Sequence, residues 1–158
     1  SLIITGPFMP KKKREGIKKR GKVYGIKTLP FHSRLEELMQ AADLVISMGG
    51  YNTICEILTQ QTPALIIPRE TPRKEQLIRA QCLKGEGLID YLGWHEISPQ
   101  KLREKIFSIL DRKEDYAAAM SNFQLTGIDT MLKRLAQFRT QSSGSAAVPA
   151  PESAALQP

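Results

Sequence analysis

Strand-length runs that are apolar almost throughout, Leu44-Val-Ile46 and Ala64-Leu-Ile-Ile67, alternate along this chain with longer stretches of helical period. A strand without a polar face is stable only where both faces of its sheet are covered, as in a parallel sheet wrapped by right-handed helical crossovers. Strands are predicted at residues 1–5, 22–26, 43–48 and 63–67. Leu35, Leu38, Met39 and Ala42 fall at i, i+3, i+4 and i+7 of a helix, behind a capping-box pair, Ser33 and Glu36. Leu102, Ile106, Ile109 and Leu110 follow a similar spacing behind Ser98-Pro99, a cap with proline in the first turn. Ile128, Met131, Leu132 and Leu135 form a last stripe. The predicted class is α/β, a Rossmann-like, doubly wound parallel sheet with helices on both faces.

A length of 158 residues is room for one such domain, and 41% hydrophobic with 25% charged residues excludes wholesale disorder and collagen. The domain is expected over residues 1–140. Residues 141–158 are mostly Ser, Ala, Pro, Gly and Gln, too poor in apolar surface to offset the entropy of ordering, and are expected to be disordered. No apolar run reaches the roughly 18 residues of a membrane span, and the first residues lack the layout of a secretory signal. A cytoplasmic placement is therefore expected. Cys55 and Cys82 have no paired Cys or His spacing, so no zinc site is predicted and both thiols are expected to be buried. Because the chain opens directly in a strand, a fragment of a longer protein is expected.

The segment richest in chemistry is Asp43-Leu-Val-Ile-Ser-Met-Gly-Gly-Tyr-Asn-Thr-Ile-Cys-Glu-Ile-Leu58, a buried strand, two glycines and a helix. In a parallel sheet this turn lies at the carboxyl edge, where open α/β folds bind ligands. Gly49 and Gly50 allow close backbone approach, and the helix behind them offers unpaired N–H groups and a positive dipole end to a phosphate. Two glycines alone fit a plain tight strand-to-helix turn better than they fit a ligand site. Their spacing is neither G-x-G-x-x-G nor G-x-x-x-x-G-K-[ST], so neither nucleotide fingerprint is present. Glu56, one turn into the helix, can accept hydrogen bonds from the vicinal hydroxyls of a ribose. Thr53 and Glu56 also satisfy the capping-box pattern, which leaves the two readings of that carboxylate open.

The next strand, closed by Pro68, leads into a polar loop and a helix predicted to start near Pro72, carrying Arg69, Arg73, Glu75, Gln76 and Arg79. Carboxylates and amides read sugar hydroxyls, and arginines neutralise a diphosphate. Taken singly, each of these side chains is more often solvated surface. The two loops are expected to line one cleft.

Ser47-Met-Gly-Gly-Tyr-Asn-Thr-Ile-Cys-Glu56, followed by Pro63-Ala-Leu-Ile-Ile-Pro-Arg69 and Glu75-Gln76-Leu-Ile-Arg-Ala80, resembles the C-terminal, donor-binding half of GT-B glycosyltransferases. The resemblance is to the family of the bacterial lipid II-forming N-acetylglucosaminyltransferase, glycosyltransferase family 28, and covers about residues 2–110. It implies that Gly49, Gly50, Tyr51 and Asn52 form the turn that sets a helix end at the donor diphosphate, and that Glu56 holds the ribose hydroxyls. Glu75 and Gln76 then match the pair that contacts the transferred sugar, although the first is an amide in the bacterial enzyme. Phe31-His32 matches the loop whose backbone reads the uracil edge, while the His32 side chain is also suited simply to cap or pack its loop. Arg69 and Arg79 border the site.

The resemblance further implies a UDP-sugar donor that carries an N-acetylhexosamine, with no cofactor and no metal; no Asp-x-Asp occurs. A complete C-terminal half in this family begins with another strand, glycine loop and helix that have no equivalent before Ser1. The acceptor-binding half, which usually supplies the catalytic base, has no counterpart either, so no residue here is assigned as the base, and a missing domain or separate subunit is an expected partner. The chain alone is expected to be inactive. A sugar-nucleotide epimerase of the same architecture is the alternative within the enzyme class.

Lys11-Lys-Lys-Arg14, Lys18-Lys-Arg20 and Lys22 concentrate positive charge between the first two strands, in a predicted short helix with Ile17 as its strong apolar anchor. A solvated crossover face accounts for such a run; so does a basic module that docks on RNA or on an anionic membrane. With 6% aromatic residues and none within the run, nucleic acid is the weaker partner, and peripheral contact with the inner face of a membrane the stronger.

Overall fold

The structure is a computed structural model that describes residues 1–143. The chain divides into two compact units, Ser1–Asn122 and a second from Phe123 onward. In the first unit β1 (Leu2–Ile4), α1 (Lys11–Val23), β2 (Lys27–Leu29), α2 (Leu35–Gln40), β3 (Val45–Ser47) and α3 (Tyr51–Gln60) are followed by β4 (Ala64–Ile66), α4 (Glu75–Gly85) and β5 (Asp90–Tyr91). A short 3-10 turn, Trp94–Glu96, then leads to α5 (Pro99–Leu110) and α6 (Lys113–Asn122).

Every strand pair is parallel, as the apolar strands require. The pairs fall into two sheets, β1-β2 and β3-β4-β5, where one continuous sheet was expected. β1 and β3 each pair on one side only, and their residues Leu2, Ile3 and Ile46 stay 37–46% exposed. β4, flanked on both sides, is wholly buried. Ile57, Leu65, Ile66, Leu88, Ile89 and Ile109 are almost fully enclosed, each burial stabilising the unit by about 1.5–3 kcal/mol. Thr62 is buried among them, its hydroxyl donating to the Met39 carbonyl at 3.0 Å.

Three local expectations are corrected. The second strand lies at Lys27–Leu29, not at residues 22–26, because Lys22 and Val23 continue α1. Gly25, at φ +67°, turns the chain, and the Ile26 N–H donates back to the Gly21 carbonyl at 2.8 Å, the left-handed closure that ends helices. The first turn of α2 is not capped by Ser33; Arg34 occupies the cap position without a side-chain cap and pairs with Glu37 at 2.9 Å. Cys82 is exposed and Cys55 only partly buried, since Ala80 and Leu83 take the inward face of α4. By contrast Ser98 does cap α5, its Oγ accepting from the Lys101 N–H at 3.1 Å with Pro99 in the first turn.

The second unit carries α7 (Gly127–Ser143), on which Met131, Leu132 and Leu135 of the predicted stripe are more than half exposed. α7 takes in residues 141–143 of the predicted tail, and the remainder, residues 144–158, lies outside the described residues. No helix of the described residues is long and apolar enough to cross a membrane.

Candidate functional site

The parallel register of β3 and β4, with Ser47 beside Ile66, sends both following loops out from the same sheet edge. The Ile67 N–H donates to the Ser47 carbonyl at 2.8 Å and fixes the spacing where the strands end. In the β3–α3 turn the two glycines differ. Gly49 is buried at φ +72°, and a Cβ on it would lie 2.7 Å from Ile66 Cγ2, so the fold itself demands glycine there. Its N–H donates to Ser47 Oγ at 3.0 Å. Gly50 has an ordinary negative φ of −56°, and a Cβ on it would meet nothing within 4 Å. Packing gives no reason for glycine at that position, which stands at the cap of α3. No side chain caps α3, so its first-turn N–H groups have no intrahelical or side-chain acceptor, and its positive dipole end is bare.

Because α3 begins at Tyr51, Thr53 already lies inside the helix, and the alternative reading of Glu56 as half of a capping box is overturned. Glu56 is half-buried, and its carboxylate makes no hydrogen bond or ion pair with any described residue. Asn52, four residues earlier on the same helical face, and Tyr51 are exposed.

Helix α4 (Glu75–Gly85) joins this turn through Arg79, whose guanidinium donates to the Gly49 carbonyl at 3.1 Å and lies 5.6 Å from the centre of the Tyr51 ring. Helix α4 starts at Glu75, later than the expected Pro72, which puts Glu75 and Gln76 in its first turn. Glu75 is exposed. The Gln76 side-chain oxygen accepts the Arg69 backbone N–H at 3.0 Å, bracing the loop and leaving its NH₂ group facing no described partner. The Arg69 and Arg73 side chains are exposed.

Two residues that sequence reasoning left without a role complete the edge. Ser47 closes the glycine turn, a role that its position two residues before Gly49 could have signalled. Glu70 accepts the Trp94 N–H at 3.1 Å and so ties the loop after β4 to that after β5; nothing local marks a contact across 24 residues. His32 stays within its own loop, with Nδ1 3.0 Å from the Arg34 carbonyl oxygen and 3.3 Å from the Arg34 backbone nitrogen, and no hydrogen bond joins it to the β3–α3 turn.

A separate cavity of about 480 Å³, lined by Lys84, Tyr91, Glu96, Lys101, Glu104 and Lys105 among others, contains none of the predicted donor residues. Beside it Lys105 and Lys84, the latter at 2.9 Å, close on the Asp90 carboxylate. Burial works against the charged form of Asp90, but hydrogen bonds from Lys105, Lys84 and the Tyr91 N–H outweigh it and hold the carboxyl below its ordinary range. Its hydrogen bond to Asp90 raises Lys84 against the opposing effect of burial.

The sequence matches the family described as glycosyltransferase family 28 C-terminal domain over residues 2–135. The chain is 35% identical over 105 residues to the UDP-N-acetylglucosamine--N-acetylmuramyl-(pentapeptide) pyrophosphoryl-undecaprenol N-acetylglucosamine transferase of Streptococcus pneumoniae (strain 70585), covering 65% of this chain and 28% of that protein. The protein of the same name from Shouchella clausii (strain KSM-K16) is 33% identical over 97 residues, 60% of this chain and 27% of the relative. The chain thus spans little more than a quarter of the length of these relatives. Among solved structures it is similar to spinosyn forosaminyltransferase SpnP, at a TM-score of 0.53 and 21% identity over 61% of this chain and 24% of that one. Glycosyltransferase VinC in complex with DTDP gives a TM-score of 0.51 at 19% identity, over 72% of this chain and 29% of that one. At such identities the likeness concerns the fold, which is the α/β fold of GT-B glycosyltransferases.

Proposed function

Because the chain belongs to the glycosyltransferase family 28 C-terminal domain family, we propose that it is the donor-binding part of an enzyme that transfers N-acetylglucosamine from a UDP-sugar to an acceptor. The observation that carries the reading is the Arg79 bond to the Gly49 carbonyl, which holds the uncapped end of α3 beside the first turn of α4. In this reading the diphosphate sits at the N–H groups following Gly50, where the absence of a Cβ leaves room for it and the helix dipole favours negative charge. Glu56, whose carboxylate has no partner among the described residues, accepts hydrogen bonds from the ribose hydroxyls, and Glu75 with the NH₂ of Gln76 meets the sugar.

In the transfer an acceptor hydroxyl attacks the anomeric carbon, its proton passes to a base, and the bond to the diphosphate breaks. The part of this chain is to stabilise the leaving diphosphate through α3, with the arginines of the β4–α4 loop neutralising its charge in place of a metal. The base and the acceptor site belong to an acceptor-binding domain or a separate subunit. The relatives' names specify a pyrophosphoryl-undecaprenol acceptor; in this reading the acceptor is lipid-linked and the site works beside the inner face of a membrane.

Titration of the chain with UDP-N-acetylglucosamine, followed by amide chemical shifts, tests the reading. Shifts are expected at residues 49–56 and at Gln76. Shifts confined to residues 11–22, or none at saturating ligand, would refute it.

A further inference from the structure

α1 holds the charge imbalance of the whole chain. Between Lys11 and Lys22 stand eight Lys and Arg and one acid, Glu15, a net +7; the other 15 Lys and Arg are matched by 15 Asp and Glu. None of the eight cations forms an ion pair with a described residue.

The helix has a clear inner side. Gly21 is buried, and a Cβ there would lie 3.0 Å from both the Ile26 carbonyl oxygen and Thr28 Oγ1, so α1 packs close to β2. Ile17, four residues earlier on that side, is half-buried. Arg14 also turns inward and donates to the Met9 carbonyl at 3.0 Å, anchoring the loop that bears Phe8. On the opposite ridge lie Lys12, Lys19 and Val23, spaced by seven and four residues, with Lys11, Lys18 and Lys22 on one shoulder and Lys13 and Arg20 on the other.

Apolar side chains project at both ends of this cationic face. Phe8 is 98% exposed before the helix, and Val23 and Tyr24 are 77% and 76% exposed at its far end. We propose that this face of α1, with Phe8, Val23 and Tyr24, is a docking surface for an anionic lipid bilayer. The unpaired cations meet the acidic headgroups, and the apolar side chains enter the headgroup boundary. RNA fits less well: the run from Lys11 to Lys22 contains no Asn, Gln, Ser or Thr to read bases and no aromatic ring between the cations to stack on. The surface is identified from α1 alone; its purpose, holding the donor site beside a lipid-linked acceptor, rests on the proposed function.

The test is sedimentation of the whole chain with phosphatidylcholine vesicles, with and without about 30% phosphatidylglycerol, at about 0.1 M and 0.5 M salt. Partitioning is expected to be at least about tenfold stronger on the anionic vesicles and to fall to the neutral-vesicle level at high salt. The double variant Lys12→Glu, Lys19→Glu, changed only at exposed positions, loses at least about tenfold, and Phe8→Ser with all charges kept loses several-fold. Equal binding to neutral and anionic vesicles, unchanged binding by the double variant, or a stronger preference for a single-stranded RNA oligonucleotide than for the vesicles would overturn the proposal. Thermal unfolding of each variant checks that the fold is intact. UDP-N-acetylglucosamine binding by the α1 variants is expected to stay at the parent level, so failure of the lipid surface and failure of the donor site give different results.

Discussion

Arg79 donates to the carbonyl of Gly49 across 30 residues of sequence, and through that one bond the helix after β4 grips the turn after β3. The residue is held from the side of the turn as well, because the Gly49 N–H donates to Ser47 and Ile66 packs where a Cβ would stand. The position of the bare α3 end is therefore set by three independent elements.

Arg79→Ala removes the bond and the contact with Tyr51. A charge-assisted bond of this kind is worth about 1.5–3 kcal/mol when sheltered, and the half-exposed position brings the expected loss of stability to about 1 kcal/mol. UDP-N-acetylglucosamine affinity is expected to fall by about tenfold, more than the stability change alone would give, and calorimetry of binding beside thermal unfolding separates the two.

The two glycines respond oppositely. Gly49→Ala combines a left-handed backbone with a Cβ pressed on Ile66, and is expected to cost about 2–4 kcal/mol in denaturant unfolding. Gly50→Ala meets no neighbour, and its cost to folding is expected to stay below about 1 kcal/mol. Donor affinity is nevertheless expected to fall, because the added methyl group occupies the approach to the α3 amides. An unchanged affinity in Gly50→Ala would remove the diphosphate from that turn.

Glu56→Gln leaves the protein's own contacts as they are, since the carboxylate has no partner among the described residues. Unfolding should be unchanged within about 0.5 kcal/mol. Loss of charge-assisted bonds to two hydroxyls is expected to weaken UDP binding by at least about tenfold, as measured by titration. A loss of stability with unchanged binding would return Glu56 to a structural role.

Asp90 makes stability depend on pH at the acid end. Its folded pKa lies below the ordinary 3.8, so the contribution is complete above the unfolded value and is lost as pH falls through the folded one. Lys84 is raised above 10.5, and its contribution is lost only as pH rises through that higher value. Asp90→Asn is expected to cost about 2 kcal/mol near neutral pH and to flatten the decline in stability below about pH 4, which unfolding curves across pH measure.

The alternation of strands and helices, the turn at Gly49 and Gly50 and the Ser98 cap were legible because each is a pattern within a few residues. The second strand was misplaced for the same reason: Lys22 and Val23 suit a strand by composition, but the continuing helix and the Gly25 closure claimed them. Glu56 had two equal readings until the helix start at Tyr51 put Thr53 inside α3. The His32 side chain binds Arg34 in its own turn, in keeping with its expected part in capping that loop.

From the residues alone came the α/β class, the carboxyl-edge position of the glycine turn and the list of polar side chains in the two loops. Apolar period, caps and glycine act over one or two turns, so they are written locally. Tertiary structure decided which glycine the fold needs, that Gln76 braces Arg69, and that Arg79 reaches Gly49. The first and last of these depend on the register of β3 beside β4, a long-range pairing set by how two strands pack rather than by any neighbour in sequence, and the Gln76 brace on the path of the loop before α4.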